Sequence, residues 1–330
     1  IGLNAHMDTA LEVTGENVKP CLVRRYQGNV IKLANGLTMS PETFPSLKKH
    51  VGHDLVVTDG NTLLGADDKS GLAIIMSVLK FFHEHPKVEH HTLCIGFTVD
   101  EEIGEGALHF DYEEMGADFA YTIDGADINI VECENFNAKG VEIFIDGVSI
   151  HPGEGKGKLI NAALVLNDLI ALFPRNETPF DSDGHEGFWH LTEVKGAPDA
   201  AYLSMILRDF DEEGIANKAK MVEDAVKEIS EKYPAVKVRC EIKDQYYNMK
   251  TYVDQKPEVV ERAIEAIRRN SLDPVVGFIR GGTDGATMSK NGLITPNLGT
   301  GSYNHHGRYE YLDVQEFEQM INIVTDIVRK

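Results

Sequence analysis

The side chains best equipped for chemistry in this sequence are carboxylates and histidines set at the ends of apolar runs. His6 and Asp8 form an H-x-D pair in Asn4-Ala5-His6-Met7-Asp8-Thr9, and residues two apart on a strand share a face. A metal-bound imidazole commonly gives its second N–H to a carboxylate that fixes its tautomer, and this spacing can supply one. In Gly65-Ala66-Asp67-Asp68-Lys69-Ser70-Gly71 two carboxylates stand at the entrance to an apolar helix. A helix cap accounts for one of them but not for the run of Gly, Asp, Asp and Lys together.

Asp100-Glu101-Glu102 follows residues 92–98 (TLCIGFT), a segment apolar or small on both faces. Such a run reads as a buried strand, and its carboxyl end is where ligands bind in open α/β sheets. Consecutive acids there repel one another unless cations are present. Adjacent side chains diverge, so one of Glu101 and Glu102 can hold metal while the other handles protons. Asp124 likewise ends an apolar run, Tyr121-Thr122-Ile123, and is followed by glycine; alone it is an ordinary turn residue, but here it repeats the strand-end pattern. The last donors are His305 and His306 in Gly301-Ser302-Tyr303-Asn304-His305-His306-Gly307. Two histidines and three carboxylates suit a co-catalytic pair of zinc ions, in which one carboxylate bridges ions about 3.5 to 4 Å apart and a bound water loses its proton easily. There is no G-x-S-x-G elbow to support a serine-hydrolase reading.

These residues need a scaffold that brings distant strand ends together. Residues 92–98, 119–123 and 275–279 read as strands inside a parallel sheet, and residues 69–82, 257–269 and 314–328 carry helical periodicity. The middle of the chain differs. Residues 236–242 (VKVRCEI) alternate as a half-solvated antiparallel strand does, residues 141–145 and 201–207 are further strands, and residues 159–172 and 215–233 are helices. The order β-α-β-β-α-β, with its central pair inside 187–210, describes a ferredoxin-like sandwich. The expected domains are therefore 1–135 and 248–330 for a mostly parallel α/β unit, and 136–247 for an α+β unit inserted into it.

The 330 residues are enough for such a pair, and the balance of 53 acidic against 32 basic side chains gives a formal charge of -21. That charge repels phosphate backbones and anionic membrane surfaces, so neither nucleic acid nor membrane is an expected partner. Cys21, Cys94, Cys133 and Cys240 are too scattered for a disulfide framework or a zinc knuckle. No apolar run approaches the roughly 18 residues of a membrane span, and a cytoplasmic location is expected. The chain opens at Ile1, without Met, in an apolar stretch that reads as the middle of a strand, so a preceding N-terminal segment is expected.

The motifs HMDT, TLLGADDKSG, TVDEEIGEGA, YTIDG, ENFNA, HPG, RDFD, YYNM, RGGTDG and GSYNHHG, starting at His6, Thr62, Thr98, Tyr121, Glu134, His151, Arg208, Tyr246, Arg280 and Gly301, together resemble the dizinc aminopeptidase/deacylase family over essentially the whole chain. ENFNA, RGGTDG and the Asn-x-His-Gly ending are most similar to its tripeptide aminopeptidases. The resemblance implies a dizinc catalytic domain with an inserted lid/dimerisation domain, two zinc ions per subunit, tripeptide substrates and a homodimer. Residue by residue it makes Asp67 the bridging ligand, His6 and Asp124 the further ligands of one zinc, and Glu102 and His306 those of the other. Asp8 would orient His6, and Glu101 would take the proton of the metal-bridging water and deliver it to the leaving amine. His151, Arg208, Arg280 and Asn137 would contact substrate, His151 by stabilising the oxyanion in a partner subunit and the arginines by forked contacts with the peptide carboxylate. Three other readings compete: an N-acyl amino acid deacylase using the same metals and base, a silent binding module, and a structural calcium or magnesium protein, which would not need the two histidines.

Overall fold

Gly2–His6 lies fully buried between two parallel neighbours, Cys94–Thr98 and Ala120–Gly125, with Leu3 and Ala5 on one face and the polar Asn4 and His6 on the other. The computed structural model describes residues 1–330 and divides into two compact units. The first comprises residues 1–134, 249–279 and 283–330, and the second residues 135–248 and 280–282.

In the first unit a six-stranded sheet runs in the order Val275–Ile279, Ile130–Asn135, Asn297–Gly299, Ala120–Gly125, Gly2–His6, Cys94–Thr98. The last four are parallel, while Ile130–Asn135 pairs antiparallel with Asn297–Gly299. Helices Ala66–Glu84, Pro257–Arg269 and Val314–Val328 cover this sheet. Each turns one helical stripe inward: Ile74, Ile75 and Val78; Val259, Ala263, Ala266 and Ile267; Met320, Ile323, Val324, Ile327 and Val328. Complete burial of a Leu, Ile or Val side chain stabilises by about 1.5 to 3 kcal/mol, so these stripes dock the helices. Pro257 sits in the first turn, where its missing N–H costs nothing, and Asp313 caps the last helix by accepting from the Glu316 N–H.

Two expectations from the pattern change. Val275–Ile279 and Cys94–Thr98 lie at the two ends of the sheet, not in its middle. Val275 and Val276 are exposed, and Cys94, Ile95 and Phe97 only half-buried, because each strand has a neighbour on one side only. A small sheet in the order Ser302–Tyr303, Tyr311–Asp313, Leu55–Val57, Cys21–Val23 was not anticipated. Strands of two or three residues are too short to show a period.

The second unit carries an antiparallel sheet in the order Phe188–Gly196, Ala200–Asp209, Asn137–Asp146, Lys237–Tyr246. Helices Ala162–Ile170 and Glu212–Lys232 complete the β-α-β-β-α-β order. Val141, Ile143 and Ile145 alternate inward with Leu203, Met205 and Leu207, and the helices cover that face with Val165, Leu166, Leu169, Val222 and Ile229. The cysteines are free, and no helix is long and apolar enough to cross a membrane.

Candidate metal centre

The centre grows from the carboxyl ends of the parallel strands. His6 is the last residue of its strand, level with Thr98 on one neighbour. On the other, Asn4 pairs with Thr122, so two residues further along His6 comes level with Asp124. The two side chains meet there, His6 Nε2 lying 3.5 Å from Asp124 Oδ1.

The aspartate pair divides its work. Asp68 is fully buried and caps the helix proper, accepting from Gly71 N through Oδ1 and from His6 N through Oδ2, each at 3.1 Å. Asp67 is thereby left to face the histidines. Its Oδ1 lies 2.9 Å from His6 Nε2 and its Oδ2 3.3 Å from His306 Nε2. His306 Nε2 is also 3.1 Å from Glu102 Oε2. His305 turns instead to Ser302 Oγ at 2.8 Å, and its Nδ1 stays 3.6 Å from Asp67. Asp100 adopts a left-handed conformation with φ 65° and points to solvent, leaving Glu101 and Glu102 as the inward acids of that run.

One carboxylate ties the first strand to this loop. Asp8 Oδ1 lies 3.2 Å from His6 Nδ1 and accepts from Glu101 N, while Oδ2 accepts from Glu102 N. Glu310, which no motif singled out, does the same for the aspartate loop. It is buried and accepts from Leu64 N and Gly65 N at 2.7 and 2.8 Å and from Asp67 N at 2.9 Å. Asp284 lies inside the RGGTDG segment but had no assigned role; it accepts from Thr98 Oγ1 at 2.5 Å. A lone acid between two tyrosines carries no sequence signal, whereas Asp284 sat in a segment already marked.

The electrostatics suit cations. His6, Asp67 and Glu102 each offer a ligand atom within 4.8 Å of the others, and so do His6, Asp68 and Asp124. Glu102 Oε1 is buried without a hydrogen-bond partner, which costs about 1 to 3 kcal/mol or more for a charged group. Burial opposes a charge on His6, yet hydrogen bonds to Asp124 and Asp67 hold it well above the imidazole range. Hydrogen bonds to Asp67 and Glu102 push His306 up to about 11. Burial, with the charge of Asp67, pushes Asp124 up to about 6 against the pull of His6. Burial and then the charges of Asp124 and Asp284 carry Glu101 well above the carboxylate range. Acids that resist ionising and imidazoles that hold their protons are what crowded negative charge produces, and divalent ions relieve it.

The remaining expected site residues belong to the second unit. Gly153 N donates to His151 Nδ1, so the neutral ring carries its proton on Nε2 as a donor at the exposed surface. The Arg208 guanidinium lies over the Tyr246 ring and donates to Leu207 O. Asp209 pairs with Lys218 instead of Arg208. Arg280 donates to Gly184 O, Glu186 O and Ser182 and stacks on Phe136 and Phe188. Asn137 has both ends of its amide engaged, Nδ2 with Phe210 O and Oδ1 with Asn248 N.

Comparison with known proteins adds an independent line. The model of peptidase family M20/M25/M40 matches residues 53–330. A peptidase T of Clostridium perfringens (strain 13 / Type A) is 45% identical over 329 residues, covering 100% of this chain and 81% of the relative. Among solved structures, a tripeptidase of Staphylococcus aureus superposes with a TM-score of 0.80 at 24% identity, covering 99% of this chain and 79% of that one. A dinuclear metal binding peptidase of the M20 family from Bacillus subtilis superposes with a TM-score of 0.60 at 14% identity, covering 99% and 80%.

Proposed function

The chain belongs to peptidase family M20/M25/M40, and on that premise we propose that it is a tripeptide aminopeptidase working with two zinc ions. Asp67, His6 and Asp124 would hold one ion, and Asp67, Glu102 and His306 the other. The observation that carries this reading is the disposition of Asp67, whose two oxygens face two imidazoles from opposite ends of the chain. When bound, the ions supply positive charge that polarises the scissile carbonyl and acidifies the attacking water.

Glu101 is the general base. Held by its own N–H on Asp8 beside the ligand Glu102, it takes the water proton at a carboxylate oxygen and returns it to the departing amine. Asp8 keeps the His6 proton on Nδ1, so that Nε2 presents a lone pair. Substrate is held through residues of the second unit. His151 donates from Nε2 to the developing oxyanion in the partner subunit's site and Arg208 meets the peptide carboxylate, while Arg280 and Asn137 brace the surrounding backbone. The same unit forms the interface of a homodimer, and the protein works in the cytoplasm.

The test is release of the N-terminal residue from a free tripeptide with zinc supplied, run beside its dipeptide, tetrapeptide and N-acetylated counterparts and a Glu101→Gln control. Cleavage confined to the free tripeptide and lost by about 10²-fold or more in the control is expected. Cleavage of the acetylated form alone would replace this reading by a deacylase, and no turnover by wild type would sink both.

A further inference from the structure

A separate group of metal-type donors stands in the first unit. His50 ends the 3-10 helix Pro45–His50, His53 lies in the turn before Leu55–Val57, and Asp313 closes the strand Tyr311–Asp313, pairing with Leu55. His50 and Asp313 are completely buried, and the His53 side chain is 35% exposed. Both imidazoles bring Nδ1 to one oxygen, Asp313 Oδ2, at 2.9 Å from His50 and 2.7 Å from His53. The other oxygen, Oδ1, accepts from Glu316 N. Glu316 Oε1 is 3.7 Å from His50 Nδ1, and its Oε2 accepts from Tyr303 O–H.

Hydrogen bonding explains His53 but not His50. The His53 contact is aligned as a hydrogen bond. His50 has no hydrogen-bond partner on either ring nitrogen, although its Nδ1 is as close to Asp313 as a hydrogen bond would be. A fully buried imidazole with neither nitrogen aimed at an acceptor is a donor left for a further group to engage, and an ion seated between it and Asp313 would engage it. Ligands about 2.0 to 2.2 Å from a tetrahedral zinc lie roughly 3.3 to 3.6 Å apart, so small shifts from the present distances would admit one. The three donor atoms already lie within 4.8 Å of one another. Charge agrees: Asp313 and Glu316 bring two carboxylates to the cluster, and one divalent ion balances two carboxylate charges.

We propose that His50, His53 and Asp313 form a third, structural site for a divalent cation of the zinc class, with Glu316 or a water as fourth ligand. Two imidazoles and carboxylate oxygen suit zinc better than calcium or magnesium. The ion would clamp the 3-10 helix and the turn at His53 to the start of helix Val314–Val328.

Wild type, His53→Gln and His50→Phe would each be stripped by chelator, loaded with Zn²⁺ and gel-filtered, and zinc per chain counted by elemental analysis, with circular dichroism confirming the fold. Each variant is expected to carry one ion fewer than wild type while still hydrolysing tripeptide. Equal zinc in wild type and His53→Gln would reduce the trio to a hydrogen-bonded cluster and overturn the proposal. His53 is only partly buried, so His53→Gln decides even if His50→Phe fails to fold. The count is a difference between proteins and stands whether or not the peptidase reading holds.

Discussion

Asp8 presents Oδ1 to Nδ1 of His6 at 3.2 Å, and with the same carboxylate it accepts the backbone N–H groups of Glu101 and Glu102. A single side chain thus fixes a candidate ligand, its tautomer, and the loop that carries Glu101 and Glu102. Asp8→Ala should weaken zinc binding by about 10 to 100-fold, read by competition with a coloured chelator. Asp8→Asn keeps an acceptor and should recover part of the loss. Unchanged affinity in Asp8→Ala would remove it from any positioning role.

Glu310 holds the loop before the first long helix through three backbone N–H groups. Hydrogen bonds to a charged group contribute about 1.5 to 3 kcal/mol each when both partners are buried, with much overlap between them. Glu310→Ala should cost about 3 kcal/mol in urea unfolding, and tripeptide hydrolysis should fall further than stability alone explains, because Asp67 loses its anchor. A variant with wild-type turnover would show that Asp67 is placed by other contacts.

Gly71 explains the glycine that ends the Asp-Asp-Lys-Ser-Gly run. A Cβ there would stand 2.0 Å from Ile123 O and 2.5 Å from Asp68 Oδ1. Helix and strand approach too closely for any side chain, so Gly71→Ala should destabilise by about 3 kcal/mol or prevent folding. Gly52, with open space around its Cβ but a φ of 94°, offers a contrast: Gly52→Ala should cost only about 1 to 2 kcal/mol, through backbone strain alone. Equal stability of Gly71→Ala and wild type in a thermal melt would contradict the packing.

Glu132 makes stability pH-dependent. Burial, then the charges of Asp124 and Asp127, push its carboxyl from 4.5 up to about 7. Below pH 4.5 folded and unfolded chains both hold the proton, and the stabilisation is fully present. As pH rises from there, the unfolded chain ionises first, and stability falls until the folded carboxyl titrates near 7. The total loss is about 3 kcal/mol. Glu132→Gln should flatten this part of the pH–stability curve and be the more stable protein at pH 8. Parallel curves for variant and wild type would show that Glu132 titrates normally.

Much of this was legible in the sequence because burial leaves a period. Helices Pro257–Arg269 and Val314–Val328 appear over the same residues as their apolar stripes. The hairpin of Phe188–Gly196 and Ala200–Asp209 lies inside the stretch assigned to paired central strands. The carboxylates and histidines that meet around Asp67 were legible for a related reason: each stands where an apolar run stops, and the ends of parallel strands converge.

What the sequence determined by itself is chemistry and local form: which donors exist, which runs must be buried, and which family they resemble. The resemblance already singled out Asp67, and the tertiary structure supplied the physical reason, since Asp68 is taken up by the N–H groups of Gly71 and His6. Tertiary structure alone brought Glu310 under the aspartate loop from 243 residues away and gathered His50, His53 and Asp313 into one cluster. Periodicity reports contacts a few residues apart along one element, whereas these relationships join elements distant in the chain, and only the packed sheet sets their distances.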